Sequence, residues 1–168
     1  MKSKYVQSCM RFSAIAILLS IFLFQCTPTQ KAVDLKSGDI NNMVNSHEFV
    51  FVTDRVTPLR GRTRNLTSTY DVTVKKDSLV SYLPFFGRAY QAPMNSIEGG
   101  IQFTSTNFSY EVNARKNNGW DVIIKPKDYR DVQQFSFSIF DNGSATLNVT
   151  STYKDPISFS GHVEKIKE

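Results

Sequence analysis

Apolar residues recur at every second position through most of the chain beyond residue 48. Phe49 and Phe51 open the series, followed by Tyr70, Val72 and Val74, then Ile101 and Phe103, then Phe108, Tyr110 and Val112. Trp120, Val122 and Ile124 continue it, with Phe135, Phe137 and Ile139, then Ala145, Leu147 and Val149, and finally Ile157 and Phe159. Successive side chains of a strand point to opposite faces, so this alternation is what a sheet with one buried face requires. Between the runs lie Lys76-Asp77, Asn117-Asn118-Gly119 and Asn142-Gly143, all short hairpin signals. The pattern predicts about eight or nine strands, each pairing with its sequence neighbours in an antiparallel meander. A meander of that length has two edges to hide, and closure hides them most completely. An all-β fold is therefore expected, an antiparallel up-and-down barrel of lipocalin-like shape. A two-sheet β-sandwich is the alternative that periodicity does not separate from it.

The segment before the strands has a different period. From Asp34 to Ser46, Leu35, Ile40, Met43 and Val44 fall at three- and four-residue spacings. One short amphipathic helix is expected there, with Asp39 as a cap before Ile40, packed on one end of the barrel.

The first 25 residues read as an address. Lys2, Lys4 and Arg11 precede Phe12 to Phe24, 13 residues whose only polar members are Ser13 and Ser20. At ~1.5 Å per residue this run falls short of a ~30 Å hydrocarbon core, which favours a secretory h-region over a membrane span. Leu23-Phe24-Gln25-Cys26 resembles the lipobox of bacterial lipoproteins, in which the cysteine is acylated and becomes the first residue of the mature chain. The resemblance implies a signal peptide over 1–25, a lipidated tether over 26–33 and a single domain over 34–168. Two or three acyl chains at ~0.8 kcal/mol per buried methylene would make attachment effectively permanent. An uncleaved anchor with an incidental Cys26 is the alternative. Thr27 to Lys31 carries none of the acidic residues that resemble a surface-export signal, so an outer-membrane lipoprotein facing the periplasm is expected.

Processing changes the charge. The full chain has a formal net charge of +5, and removal of a signal with three basic residues and no acid leaves +2. The main electrostatic support for a nucleic-acid partner goes with the signal. Both cysteines, Cys9 and Cys26, lie in the first 26 residues, which excludes disulfides, thiolate metal sites and cysteine catalysis from the folded part.

Few residues suggest chemistry. His47 and His162 stand alone, without metal-ligand spacing, and read as surface or cap residues. The chain contains no G-x-S-x-G and no phosphate-binding glycine loop; Glu98-Gly99-Gly100 reads as a turn. Asp128 and Asp131 suggest paired carboxylates, but Lys125, Lys127 and Arg130 surround them and favour a charge-compensated loop. The N-x-S/T matches at Asn65, Asn107, Asn142 and Asn148 would mean little in a bacterial lipoprotein of the kind that the lipobox resemblance implies. Asp77-Ser78-Leu79 resembles the three-residue O-glycosylation acceptor of Bacteroidetes, which makes Ser78 a candidate.

Two constellations rise above this background. Arg60, Arg62 and Arg64, with Arg55 nearby, would project from one side of an extended segment and clamp a carboxylate, a phosphate or a lipid headgroup. The alternative is a solvated strand or turn. Tyr82 to Pro93 holds Tyr82, Phe85, Phe86 and Tyr90 in a proline-closed segment that is too irregular for a strand, with Arg88 among them. It either plugs a barrel end or presents an aromatic surface to a partner.

Several stretches together resemble one family. These are Gly61-Arg62 with Leu66-Thr67-Ser68, Tyr82 through Tyr90, Gly99-Gly100-Ile101 with Phe103, and Gly119-Trp120 with Ile124 through Asp128. Asn142-Gly143 and Pro156 through Gly161 extend the match, which spans Ser46 to Val163. The pattern is similar to Bacteroidetes envelope proteins catalogued as domain of unknown function 4251. That resemblance implies a secreted or lipid-anchored β domain and carries over no catalytic residue.

The expected function is that of a non-enzymatic envelope lipoprotein without cofactor or metal, attached to the membrane by its lipid. It would bind a small apolar or anionic ligand, or an envelope protein partner, through Arg60, Arg62, Arg64, Tyr82, Phe85, Phe86, Arg88 and Tyr90. A structural or assembly role without a pocket is the alternative, and a hydrolase using Asp128 or Asp131 ranks third.

Overall fold

The structure, a computed structural model, describes residues 37–90, 99–116 and 118–167. The signal segment, Cys26, the tether, Gln91 to Pro93, Glu98 and Asn117 lie outside the described residues.

One helix, α1 (Ser37–Ser46), precedes nine strands. They are β1 (Phe49–Pro58), β2 (Arg64–Val74), β3 (Leu79–Leu83), β4 (Ile101–Ser105), β5 (Phe108–Arg115), β6 (Gly119–Pro126), β7 (Val132–Phe140), β8 (Ser144–Ser151) and β9 (Ile157–Glu164). They form one antiparallel sheet in the order β4-β3-β2-β1-β9-β8-β7-β6-β5, curled into a nearly closed barrel. The expected barrel is therefore present, with one departure from a simple meander. Sequence neighbours pair everywhere except at β4 and β5, and β1 pairs with β9 instead.

The reason lies in direction. Counting antiparallel steps around the sheet, β4 and β5 run the same way, and parallel neighbours need a crossover of a dozen or more residues. Only Thr106 and Asn107 join them. The link is therefore a corner, and Asp128 pins it: its carboxylate accepts from the Ser105 hydroxyl and from the Thr106 and Asn107 amides, at 2.9 and 3.2 Å for the amides. Phe103 stacks on Tyr129 across the seam, with ring centroids 4.0 Å apart.

The alternating residues point inward as expected. Phe49, Phe51, Phe135, Phe137 and Phe159 are fully buried together with Leu79, Leu83, Ile101, Ile124, Ile139 and Leu147. Phe137 is the hub, edge-on to Phe49 at 5.7 Å and to Phe51 at 5.6 Å, and close to Phe135 at 6.3 Å. In β1 the period slips by one at Asp54, a bulge after which Val56 and Pro58 face inward. Strand β3 was not expected, because its inward row Leu79, Ser81, Leu83 contains a serine. Ser81 is accommodated by donating its hydroxyl to the Ile101 carbonyl at 2.8 Å.

The helix contributes Ile40, Met43 and Val44 to the core. It begins at Ser37, so Asp39 is not the cap. Asp39 sits in the first turn, where a negative charge complements the helix dipole, and meets Lys165 at 3.2 Å. His47 ends the helix in the left-handed region at φ 60, with His47 N–H to the Val44 carbonyl and Glu48 N–H to the Met43 carbonyl, a Schellman closure. The His47 ring lies 3.8 Å from that of Tyr110, whose hydroxyl donates to the Val44 carbonyl at 2.8 Å.

One backbone contact leaves no room for a side chain. A Cβ on Gly161 would fall 1.9 Å from the Val52 carbonyl oxygen, beside the β1 bulge. Gly161→Ala should cost about 1–3 kcal/mol or more by overpacking. Phe137→Ala should cost about 3–5 kcal/mol by cavity formation. Urea titration followed by circular dichroism measures both, and Gly38→Ala, with nothing within 4 Å and in a helix that alanine favours, serves as the control that should lose no stability.

Candidate functional site at the loop end of the barrel

Four connections gather at the end of the barrel opposite α1: β1–β2 (residues 59–63), the described parts of β3–β4 (84–90 and 99–100), β6–β7 (127–131) and β8–β9 (152–156). Their contacts tie them together. Ala89 forms an isolated bridge with Lys154, and Tyr90 N–H donates to the Tyr153 carbonyl at 2.7 Å. Asp155 N–H donates to the Arg88 carbonyl at 3.0 Å, and Thr152 N–H donates to the Asp131 carbonyl at 3.0 Å.

Asp155 organises one side of this end. The residue is 3% exposed, and its carboxylate accepts from the Tyr90 hydroxyl and the Arg88 amide. Those two hydrogen bonds, the hydroxyl first, and the charges of Arg60 and Arg88 hold the carboxyl below its ordinary value against the opposing effect of burial. The same bond raises the pKa of Tyr90. Lys154 organises the other side. Its ammonium is buried, donates to the Gly100 carbonyl at 2.9 Å and lies 5.3 Å from the centre of the Phe85 ring. Burial lowers its pKa, and the charge of Asp131 offsets part of that.

Between these anchors the aromatic segment turns back on itself. A Cβ on Gly87 would lie 2.8 Å from the Phe85 ring, so glycine there lets the ring fold over the backbone. Phe85 and Phe86 are half-buried against the core, and Arg64 lies 5.2 Å over the face of Phe86. Pro84, just before them in the chain, is buried.

The residues singled out from sequence are thus partly brought together. Arg64, Phe85, Phe86, Arg88 and Tyr90 share this end, and Arg60 reaches it through its charge on Asp155. Arg60, Arg62 and Arg64 do not form one extended row, which is a correction. Arg60 to Thr63 is the β1–β2 loop, and Arg64 is the first residue of β2. Tyr82 also departs from expectation, because it belongs to β3, where it faces outward and stacks on Tyr70 at 5.5 Å. Arg55 is exposed in β1 just after the bulge. Ser78 sits in the β2–β3 hairpin with its hydroxyl on Asp77 at 3.0 Å. His162 lies on β9 between Asp54 at 3.5 Å and Glu164 at 3.2 Å.

Sequence reasoning missed Lys154 and Asp155, and it missed Leu59 and Tyr153. Lys-Asp before Pro156 is unremarkable in one dimension, and only the fold places it against Arg88 and Tyr90. Leu59 and Tyr90 are 59% and 68% exposed, and with Tyr153 they form apolar spots among the arginines. Elsewhere, two open grooves of about 520 and 460 Å³ flank the helix end and the outer face of β1 and β2, sharing Lys75, Lys165 and Ile166. Among the described residues, no group of three or more His, Cys, Asp or Glu side chains is arranged to hold a metal ion.

The geometry defines a class: a small antiparallel barrel packed with side chains, carrying a polar and aromatic rim. The profile of the family described as domain of unknown function DUF4251 matches residues 34–163, and the chain belongs to that family. A DUF4251 family protein from Bacteroides eggerthii DSM 20697, known from a crystal structure at 1.95 Å resolution, superposes with a TM-score of 0.57 at 16% identity. The match covers 80% of this chain and 89% of that one, and it shows a shared fold. No curated protein matches the chain.

The Tyr90–Asp155 contact has a defined pH window. Asp155 titrates below its ordinary 3.8 when folded, so its contribution is present above that pH and is lost as the pH falls through the lower folded value. Tyr90 titrates above its ordinary 10.0, so its contribution is present below that pH and is lost as the pH rises through the higher folded value. Tyr90→Phe should therefore be less stable than wild type at neutral pH. The difference should shrink below about pH 4 as both proteins protonate Asp155, measured by chemical denaturation at a series of pH values.

Proposed function

We propose that the chain is a cell-envelope lipoprotein whose barrel is a non-enzymatic binding module that holds an anionic partner at its loop end. The observation that carries this reading is the composition of the four converging loops. Across residues 59–64, 84–100, 127–131 and 152–156 the sequence has seven Lys and Arg against three Asp and one Glu. Two of those carboxylates are occupied internally, Asp128 at the β4–β5 corner and Asp155 by Tyr90 and the Arg88 amide. Arg60, Arg62, Arg64 and Arg88 are exposed, and the exposed rings of Tyr90 and Tyr153 lie beside them. Tyrosine and arginine are the side chains that enrich binding surfaces, the arginine fork matching carboxylate and phosphate.

The phenylalanine-filled interior directs this reading to the rim, with the partner gripped at the surface. The same packing favours a second reading, a structural or assembly lipoprotein in which Phe85 and Phe86 plug the barrel. The hydrolase reading weakens because the Asp128 carboxylate is committed to three hydrogen bonds within the corner.

An anchor at Cys26 would join α1 through about ten residues, at most ~35 Å of extended chain. The partner-binding loops would occupy the other end of the barrel. Metabolic labelling with a fatty-acid probe should mark the wild type and leave Cys26→Ser unmarked. An unlabelled wild type would remove the anchor from this reading. Native mass spectrometry of the protein from its own host should show a copurified anionic lipid, glycan or subunit, and replacing Arg62, Arg64 and Arg88 together by Gln should abolish it. Unchanged capture by a folded variant would favour the structural role.

A further inference from the structure

We propose that two copies of this chain associate through the free edge of β5, in an antiparallel register centred on Asn113. Strand β5 ends the sheet, and among the described residues it pairs with β6 alone. Edge strands are commonly blunted by shortness, proline, bulges or charged side chains, lysine above all, and the two charges of β5, Glu111 and Arg115, are of opposite sign. The other edge, β4, is five residues long. Strand β5 has eight residues, all paired with β6 in unbroken register, and contains no proline or lysine. A regular edge of this kind is a template for another strand.

Its accessible part can be located. Around Tyr110 the strand is covered by α1, through the hydroxyl bond to Val44 and the stack on His47. Farther along, Asn113, Ala114 and Arg115 are all exposed, so the strand there is open on both faces. The outward side chains at this end are Glu111, Asn113 and Arg115, an acid, an amide and a base at two-residue spacing.

That row is complementary to itself. With a twofold axis at Asn113, Glu111 of each copy faces Arg115 of the other, Val112 faces Ala114, and Asn113 faces its own counterpart. Centring on Glu111 or on Arg115 would set like charges opposite each other, which is unfavourable. An isologous contact is the usual form of a homodimer. Arg115 already donates to Asp121 at 2.7 Å and to Ser138 at 3.0 Å, and its guanidinium has further N–H groups for a carboxylate from a second copy. A strand pair of this length is a small interface, in the weak and transient class.

The test uses the full chain in its own membranes, where residues 27–168 contain no native cysteine. In the paired register two Asn113→Cys thiols face each other at the axis, within reach of a disulfide. Mild oxidation should give a covalent dimer from Asn113→Cys and none from wild type or from Lys76→Cys in the β2–β3 hairpin. Adding Glu111→Arg to Asn113→Cys should lower the dimer yield roughly tenfold, and adding Arg115→Glu as well should restore it. Folding of each variant is verified by circular dichroism on the purified chain. No dimer from a folded Asn113→Cys protein would overturn the proposal. So would a dimer indifferent to Glu111→Arg, because the contact would then not depend on this register.

Discussion

The constraint on which the rest depends is the packing of phenylalanine around Phe137. Its ring meets Phe49 and Phe51 edge-on and lies near Phe135, a geometry that aromatic quadrupoles favour beyond simple burial. These rings come from β1 and β7, two strands separated by β9 and β8 in the sheet. They can touch only because the sheet curls around them. The interior of a barrel this small is used up by such side chains. Function is thereby moved outward, to the rims and edges.

Closure through β1 and β9 has a cost that the chain meets locally. Pairing the first strand with the last transfers the two sheet edges to β4 and β5, which are consecutive in sequence but run in the same direction. The chain turns there in two residues, and turning exposes backbone amides that no strand can satisfy. Asp128, from the β6–β7 loop, accepts from both Thr106 and Asn107 and from the Ser105 hydroxyl. Those bonds, the hydroxyl first, hold its carboxyl below the ordinary range. A residue that the sequence places in a charge-compensated loop is the clasp of the seam. Carboxylates that accept several hydrogen bonds are stabilised in their charged form whether or not they do chemistry.

Period-two alternation made the strands legible wherever the inward row was wholly apolar, as in Phe135, Phe137 and Ile139. It failed at β3, where Ser81 interrupts the row, because a buried serine satisfied by the Ile101 carbonyl leaves no one-dimensional trace. It also failed at the β1 bulge, which shifts Val56 and Pro58 inward by one place. The barrel followed from the hairpin signals, but the β1–β9 pairing did not, since contacts between chain ends carry no local pattern. At the loop end, the arginines and aromatic rings stood out by their density in sequence. Lys154 and Asp155 did not, because their importance comes from contacts with Arg88, Tyr90 and Gly100, more than fifty residues away.

Charge is distributed unevenly between the two ends, and the reason bears on how the loop end could act. Around α1 and the end of β9 the cations are neutralised within reach: Lys76 faces Glu48, Lys165 faces Asp39, and Lys167 faces Glu164, at 3.2 to 3.7 Å. Exposed pairs of this kind contribute little to stability, but they cancel the field outside. At the loop end, among the described residues, the four exposed arginines make no such ion pair, and the Asp155 carboxylate is turned inward. A cationic cluster of this kind projects a potential over a Debye length of ~8 Å at physiological salt, far enough to orient an approaching anion before contact. The inward turn of Asp155 therefore acts twice: it fastens the aromatic segment to the barrel, and it leaves the guanidiniums above it available.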